Sequence, residues 1–427
     1  MCYAKGWENM ACYIIEGGKR LSGEITVQGS KNGSLPLLSA SVLVQGETVL
    51  ENCPGLTDVD AAVNILTYLG CQAKRCGDSV VIDSTDALRF DIPDSLMQEM
   101  RSSVVFLGAL LGRFGRAELS SPGGCEIGLR PIDLHIEAMR ALGTEITEEG
   151  GRLFCVCPDG LRGARVTLSF PSVGATENVL LAACTAKGET VLINAAREPE
   201  IKELADFLNS CGAKIKGAGE SIITVEGVKA LNGAQHTVSL DRIAACTFMA
   251  AASVTKGDVL LRGMTQDMLM PVIEPFEKTG CKITQDSKGL RIKAPERLSG
   301  FSSVRTMPYP GFPTDSQADF GVMASVARGT GVIIENIFEN RFRYTAELTK
   351  MGADIRTEGR VAVIQGVQSL HGAQVYSPDL RGGSALVVAG LCAKGVTKVN
   401  GIHYIDRGYE NFDGQLTALG AKIIRGE

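Results

Sequence analysis

The hydrophobic and polar positions of this chain form one pattern written six times. In each copy an amphipathic stretch with helical period ends on a glycine. A small residue and an apolar residue follow, and then a run in which apolar and polar residues alternate. The copies read YLGCQAKRCGDSVVI, ALGTEITEEGGRLFCV, SCGAKIKGAGESIITV, KTGCKITQDSKGLRIK, KMGADIRTEGRVAVIQ and ALGAKIIRGE. Their anchor glycines are Gly70, Gly143, Gly212, Gly280, Gly352 and Gly420, separated in turn by 73, 69, 68, 72 and 68 residues. The repeat spans the whole chain.

The residues of one copy say what it should build. In LHIEAMRALG, Leu134, Ala138, Met139 and Leu142 fall on one face of a helix of period 3.6. The glycine that follows supplies the left-handed conformation that ends a helix without a Cβ penalty. Alternation after it is the mark of a half-buried strand. Each repeat therefore predicts a helix followed by a hairpin-like strand pair, with a further helix and strand in the remaining length. A unit of this size buries too little surface to stand comfortably alone, so the six should pack together. They divide naturally into two sets of three. The expected class is α/β (α+β) in two domains.

With 427 residues, the chain is long enough for two or three cores. Its most apolar run, around Val104–Leu111, is about half of what a membrane span needs and is expected in the core. The first nine residues, MCYAKGWEN, lack the apolar centre of a secretory signal. A net charge of −5 gives no reason to expect nucleic acid or an acidic membrane, so any anion must be held by local positive charge. Thirteen scattered cysteines without a Cys-x-x-Cys pair point to a reducing cytosol and to buried apolar roles. With four histidines, none near a cysteine pair, no metal site is expected.

Four segments carry candidate chemistry. In Ser121–His135, SPGGCEIGLRPIDLH, three glycines surround Cys125 and present it on a loop that can approach a ligand. Arg130 follows, held extended by Pro131, with a guanidinium suited to a phosphate or carboxylate. The alternative for Cys125 is an inert buried thiol. In Val27–Leu43, Lys31 sits in a glycine-flanked break ahead of a helix whose apolar body begins near Leu35. That place favours anions, while the plainer alternative is a solvated turn lysine. In Thr306–Phe320, Pro308, Pro310 and Pro313, with Gly311 among them, set an irregular, rigid loop ending at Asp315. Asp315 is either a helix N-cap or a base held against a hydroxyl. Finally, Arg101, Arg341, Arg381 and Arg407 lie at element ends, as surface ion pairs or as the wall of one cleft.

Taken together, these segments resemble the UDP-N-acetylglucosamine 1-carboxyvinyltransferase family of the EPSP synthase superfamily. The resemblance covers about Ile14–Ile424. It is carried by GSKN at Gly29–Asn32, GGCEIGLRPIDLH, AAREPEI at Ala195–Ile201, YPGFPTD at Tyr309–Asp315, FENRF at Phe338–Phe342, DLR at Asp379–Arg381 and IDRGYE at Ile405–Glu410. It implies an inside-out α/β barrel in each of two domains, three βαβαββ repeats apiece with helices inside. The implied domains are 32–238 and 1–31 plus 239–427, with the active site in the cleft between them and the cysteine loop as its lid. The implied reaction moves an enolpyruvyl group from phosphoenolpyruvate to the sugar 3′-hydroxyl, the first committed step of peptidoglycan synthesis.

By the same resemblance, Cys125 protonates the enolpyruvyl methylene and can form a covalent phospholactoyl adduct. Lys31, Asn32, Arg130 and Arg407 hold phosphoenolpyruvate, with Arg381 and Arg341 in support. Arg101, Arg130, Pro131, Ile132, Asp133, Leu134, Ser172, Val173 and Ile337 contact the UDP sugar, and Asp315 faces its 3′-hydroxyl. The implied partners are these two small molecules, with no cofactor or metal, no nucleic acid and no membrane, for a cytoplasmic monomer. The residue types suit the chemistry, since phosphoenolpyruvate is close to a trianion and needs several fixed cations. One departure weakens the expected diphosphate contact: Phe170 stands where many relatives carry a lysine. The rival readings are the sister enzyme acting on shikimate 3-phosphate, which lacks a cysteine-centred lid, and a non-catalytic repeat protein that binds a nucleotide sugar.

Overall fold

The computed structural model of the chain describes residues 11–120, 127–128 and 132–426, without the side chain of Arg101. It contains the predicted repeat as six copies of helix and sheet. The amphipathic stretches form the outer helices Thr57–Tyr68, Asp133–Ala141, Pro199–Ser210, Met270–Lys278, Arg343–Lys350 and Phe412–Ala418. Pro199–Ser210 shows the pattern clearly: Ile201, Leu204, Phe207 and Leu208 are buried, while Lys202, Asp206 and Asn209 face solvent. All six anchor glycines follow these helices with φ between 91° and 104°, the left-handed cap the sequence called for.

A second set of six helices is apolar nearly all round and lies inside. These are Lys31–Ala40, Phe106–Phe114, Val173–Ala183, Arg242–Val254, Gln317–Val326 and Leu380–Cys392. In Arg242–Val254 every residue from Ile243 onward is buried, which only an interior helix can satisfy. Alanine, glycine and serine recur along these helices and let them pack closely.

The strands follow one plan. A strand pairs in parallel with a second, and the second pairs antiparallel with a hairpin. Gln235–Thr237 lies parallel to Glu47–Glu51, which pairs antiparallel with Ser79–Asp83 and through it with Gln72–Cys76. Five four-stranded sheets keep this order. The sixth has three strands, Arg116–Ser120, Arg152–Val156 and Glu145–Glu149, and a single parallel bridge from Asp91 to Glu118 stands where the fourth would be. The first strand, Cys12–Glu16, sits between Val396–Asn400 and the last strand, Lys422–Gly426.

The chain forms two compact units, each with its own hydrophobic core. The central unit comprises residues 29–120 and 132–239, and the terminal unit comprises 11–28, 127–128 and 240–426. Among the described residues each contains three inner helices and three of the six repeat sheets, and the central unit adds a two-stranded sheet of Val44–Gln45 parallel to Leu231–Asn232. No helix among the described residues is long and apolar enough to cross a membrane. Nine of the described cysteines are buried, Cys12, Cys53, Cys71, Cys155, Cys157, Cys184, Cys211, Cys246 and Cys281. Burial pushes Cys71 and Cys211 up to about 11 and Cys155 and Cys184 up to about 12, so these thiols act as small apolar filling.

The glycines give a test that separates backbone strain from crowding. A Cβ added at Gly212 would meet nothing within 4 Å, so its φ of 104° is the only obstacle. Gly212→Ala should lower stability by about 1 kcal/mol, with a lower urea midpoint and an unchanged slope. At Gly227 an added Cβ would lie 1.6 Å from the Ala186 carbonyl oxygen. Gly227→Ala should cost clearly more in the same measurement.

Candidate active site

Within the terminal unit the proline-rich loop delivers Asp315 to a short 3-10 turn, Thr314–Ser316. Asp315 is not the cap of the helix that follows: Ser316 occupies that position and makes no side-chain cap bond. Instead Asp315 Oδ1 accepts a hydrogen bond from Arg341 Nη2 at 2.6 Å, and its Oδ2 lies 3.9 Å from Arg381 Nη2. Both arginine side chains are only 4% exposed, whereas that of Asp315 is 29% exposed. The carboxylate is thus the accessible member of a trio whose two cations are buried. A buried guanidinium needs an anion close by, and Asp315 meets that need while still reaching solvent.

Arg381 is held from both ends. It lies in the first turn of the Leu380–Cys392 helix, capped by Asp379, whose Oδ1 accepts from the N–H groups of Arg381 and Gly382 at 3.0 Å each. At its tip, Nη1 donates to the Tyr409 hydroxyl at 3.1 Å. Burial works against the charge on Arg381. Tyr409, Asp315 and Asp241 outweigh it, so the guanidinium holds its proton more tightly than usual. Arg407 ends the 3-10 segment Ile402–Arg407, half-buried, two residues before Tyr409.

One residue that sequence reasoning missed organises the loops around Asp315. Glu335 is fully buried and accepts four hydrogen bonds. The donors are Thr306 Oγ1 at 2.9 Å, Thr314 Oγ1 at 2.9 Å, Ile337 N at 2.8 Å and Phe338 N at 3.1 Å. It therefore clamps the start of the proline loop, the residue before Asp315 and the backbone at Ile337. The available signal was an acidic residue directly after the apolar strand Thr330–Ile334.

In the central unit Lys31 is the first residue of its helix, with Ser30 as N-cap. It is not a solvated turn lysine: it is 7% exposed, and its Nζ lies 2.7 Å from Asp58, itself 2% exposed. Asn32 beside it is half-buried. Ile132 is the N-cap residue of Asp133–Ala141, which places Asp133 and Leu134 in its first turn. Ser172 caps Val173–Ala183 by accepting from Ala175 N at 3.3 Å. These two helix starts adjoin, since His135 Nδ1 lies 2.8 Å from Asn178 Nδ2, and an added Cβ on Gly174 would lie 2.9 Å from His135 Cε1. Asn178, also missed in the sequence, bolts a third helix to them by accepting from Gly108 N at 2.5 Å and donating to Val104 O at 3.0 Å. Phe170, at the departure from the family pattern, is 43% exposed. Arg101 opens the 3-10 segment Arg101–Val105. Cys125, Arg130 and Pro131, and the side chain of Arg101, lie outside the described residues.

Two units, each with apolar inner helices packed against sheets of one repeated plan, and in the terminal unit a carboxylate set between buried guanidiniums, define a class of enolpyruvyl-transferase-like folds. The chain belongs to the EPSP synthase (3-phosphoshikimate 1-carboxyvinyltransferase) family, whose model matches residues 15–416. Among curated relatives it is 47% identical to UDP-N-acetylglucosamine 1-carboxyvinyltransferase 2 of Caldanaerobacter subterraneus subsp. tengcongensis, over 97% of this chain and 100% of that protein. It is 45% identical to UDP-N-acetylglucosamine 1-carboxyvinyltransferase of Trichlorobacter lovleyi, over 96% and 98% of the two chains. In fold it is similar to the enolpyruvyl transferase NikO from Streptomyces tendae, with a TM-score of 0.89 at 22% identity over 97% and 99% of the chains. It is also similar in fold to EPSP synthase from Acinetobacter baumannii, with a TM-score of 0.76 at 21% identity over 98% and 100% of the chains.

The clamp can be tested directly. Glu335→Gln keeps the volume but replaces one accepting oxygen by an NH2 group that cannot accept. The variant should lose about 1–3 kcal/mol in denaturant unfolding, with a several-fold fall in turnover as Asp315 loosens.

Proposed function

We propose that this chain transfers the enolpyruvyl group of phosphoenolpyruvate to the 3′-hydroxyl of UDP-N-acetylglucosamine, releasing phosphate. The observation that carries the reading is a half-accessible carboxylate, Asp315, fixed by Arg341 at 2.6 Å, in a chain with near-full-length relatives named for this transfer.

The chemistry runs by addition and elimination. Asp315 takes the proton of the 3′-hydroxyl while that oxygen bonds to C2 of phosphoenolpyruvate. Cys125 gives a proton to the C3 methylene, so the enol double bond becomes a tetrahedral phosphate-bearing carbon. In the second half, C3 loses a proton, the bond from C2 to the phosphate oxygen breaks, and phosphate leaves an enol ether. Lys31, Asn32, Arg130 and Arg407 hold phosphoenolpyruvate in this reading. Arg341 and Arg381 fix Asp315 and add positive charge where the phosphate develops its own. Arg101, Arg130 to Leu134, Ser172, Val173 and Ile337 receive the UDP sugar. No step requires a metal or an organic cofactor. The enzyme works as a cytoplasmic monomer in peptidoglycan synthesis.

The acceptor is the point on which the rivals divide. Phosphate release from phosphoenolpyruvate should depend on UDP-N-acetylglucosamine. Dependence on shikimate 3-phosphate would instead favour the sister activity, and no release with either would favour a binding protein. Asp315→Ala should retain phosphoenolpyruvate binding in calorimetry while turnover falls by about 10²–10⁴. Cys125→Ala should lose turnover and no longer be alkylated by the phosphonate epoxide fosfomycin, as read by mass spectrometry. Wild-type turnover untouched by fosfomycin would count against the role of Cys125.

A further inference from the structure

Behind Arg381 lies a buried acid that the reaction as written does not use. Asp319, in the first turn of Gln317–Val326, is 2% exposed. Its Oδ2 accepts from Thr247 Oγ1 at 2.8 Å, and the same Thr247 oxygen is 2.8 Å from the Tyr409 hydroxyl. That hydroxyl receives Arg381 Nη1 at 3.1 Å.

Each hydroxyl has one proton, so the direction of the chain follows from where Thr247 spends its own: Asp319 at 2.8 Å is the nearer acceptor, and the Ile243 carbonyl lies at 3.4 Å. If Thr247 donates to Asp319, its oxygen is left to accept from Tyr409. Tyr409 then gives its proton to Thr247 and keeps its lone pairs for Arg381. Ser384 lies 3.1 Å from Tyr409 and 3.0 Å from the Arg381 carbonyl, and can spend its proton on the carbonyl. Every donor from Arg381 onward then points to one end, the Asp319 carboxylate. Protonation of Asp319 weakens that order, because the carboxyl loses the charge that favours the Thr247 bond and gains a proton of its own to donate.

We propose that Asp319 is a positioning residue for the enolpyruvyl transfer, acting through Thr247 and Tyr409 to hold the Arg381 guanidinium toward Asp315. The inference rests on the reading of Asp315 and Arg381 given above.

The groups around Asp319 make its charge responsive to pH. Cys246 and Thr247 face it from the Arg242–Val254 helix, Arg381 from Leu380–Cys392, Arg341 and Tyr344 from the segment beside it, and Tyr409 from the C-terminal turn. Burial raises its pKa to about 7, with the Thr247 bond, Arg381 and Arg341 pulling the other way. A raised value in the folded state means that the fold loses stability as pH rises from the ordinary carboxylate range toward 7. The ionised form therefore weakens the fold while it orders the relay.

Asp319→Asn separates these effects. The variant should unfold at no lower temperature than wild type at pH 8, because the buried charge is gone. Its kcat for UDP-N-acetylglucosamine-dependent phosphate release should fall about tenfold at pH 8, the loss of one charge-assisted hydrogen bond. The acid-side fall of kcat near neutral pH should disappear. Thr247→Val, which cuts the relay and leaves Asp319, should lower kcat similarly. A wild-type kcat and pH profile in both variants would overturn the proposal, as would a kcat loss explained by lower stability at pH 8. An independent readout is carbon-13 NMR of the aspartate carboxyls, where a near-neutral titration in wild type should vanish in Asp319→Asn. If wild type shows that titration but no phosphate release, the enzymatic reading fails while the ionisation of Asp319 stands. If the titration is missing, the proposal itself fails.

Discussion

A guanidinium removed from water has to find negative charge and hydrogen-bond acceptors in fixed positions, and the terminal unit is arranged around two of them. Arg341 and Arg381 are both almost wholly buried. Their shared anion, Asp315, is the one member of the trio that still meets solvent. The proline loop, the Glu335 clamp, the Asp379 cap and the Tyr409 contact all act on the placement of these three side chains. An acid fixed in this way loses little entropy when it meets a substrate hydroxyl, which is the condition for acid–base catalysis by orientation.

The repeat explains how so polar a group can be kept in place. Inner helices that are apolar nearly all round pack against sheets of one plan and fill the middle of each unit. Polar groups are then concentrated at helix starts and at the turns between strand and helix. Asp379, Arg381, Asp315, Ser172 and Lys31 all occupy such starts. Helix N-termini supply free N–H groups and a positive end, which suits substrates that carry phosphate and carboxylate. In the central unit the buried Lys31–Asp58 pair follows the same rule that a cation out of water has an anion beside it.

Much of this was legible in the chain. The glycines at Gly70, Gly143, Gly212, Gly280, Gly352 and Gly420 marked helix ends because their conformation is a local property, and all six have the required positive φ. The apolar run at Val104–Leu111 signalled core, and residues Phe106–Leu111 are buried there, in a helix. Asn178 and Asp319 were not legible, and Glu335 only as an acidic residue directly after an apolar strand. Each is an ordinary polar residue in sequence. Their importance comes from partners that are distant along the chain, such as Thr306 for Glu335, Gly108 for Asn178 and Thr247 for Asp319.

The sequence by itself determined the repeat, the helix and strand order, the buried faces and the motifs that place this chain in its family. These follow from periodicity, glycine conformation and residue type, all of which act over a few neighbouring residues. Only the tertiary structure decided that Asp315 is an ion-paired carboxylate instead of a helix cap, that Lys31 is paired and buried instead of solvated, and that a hydroxyl relay joins Arg381 to Asp319. Ionic and hydrogen-bonded partnerships depend on distances of a few ångströms between residues far apart in the chain, and packing alone sets those distances.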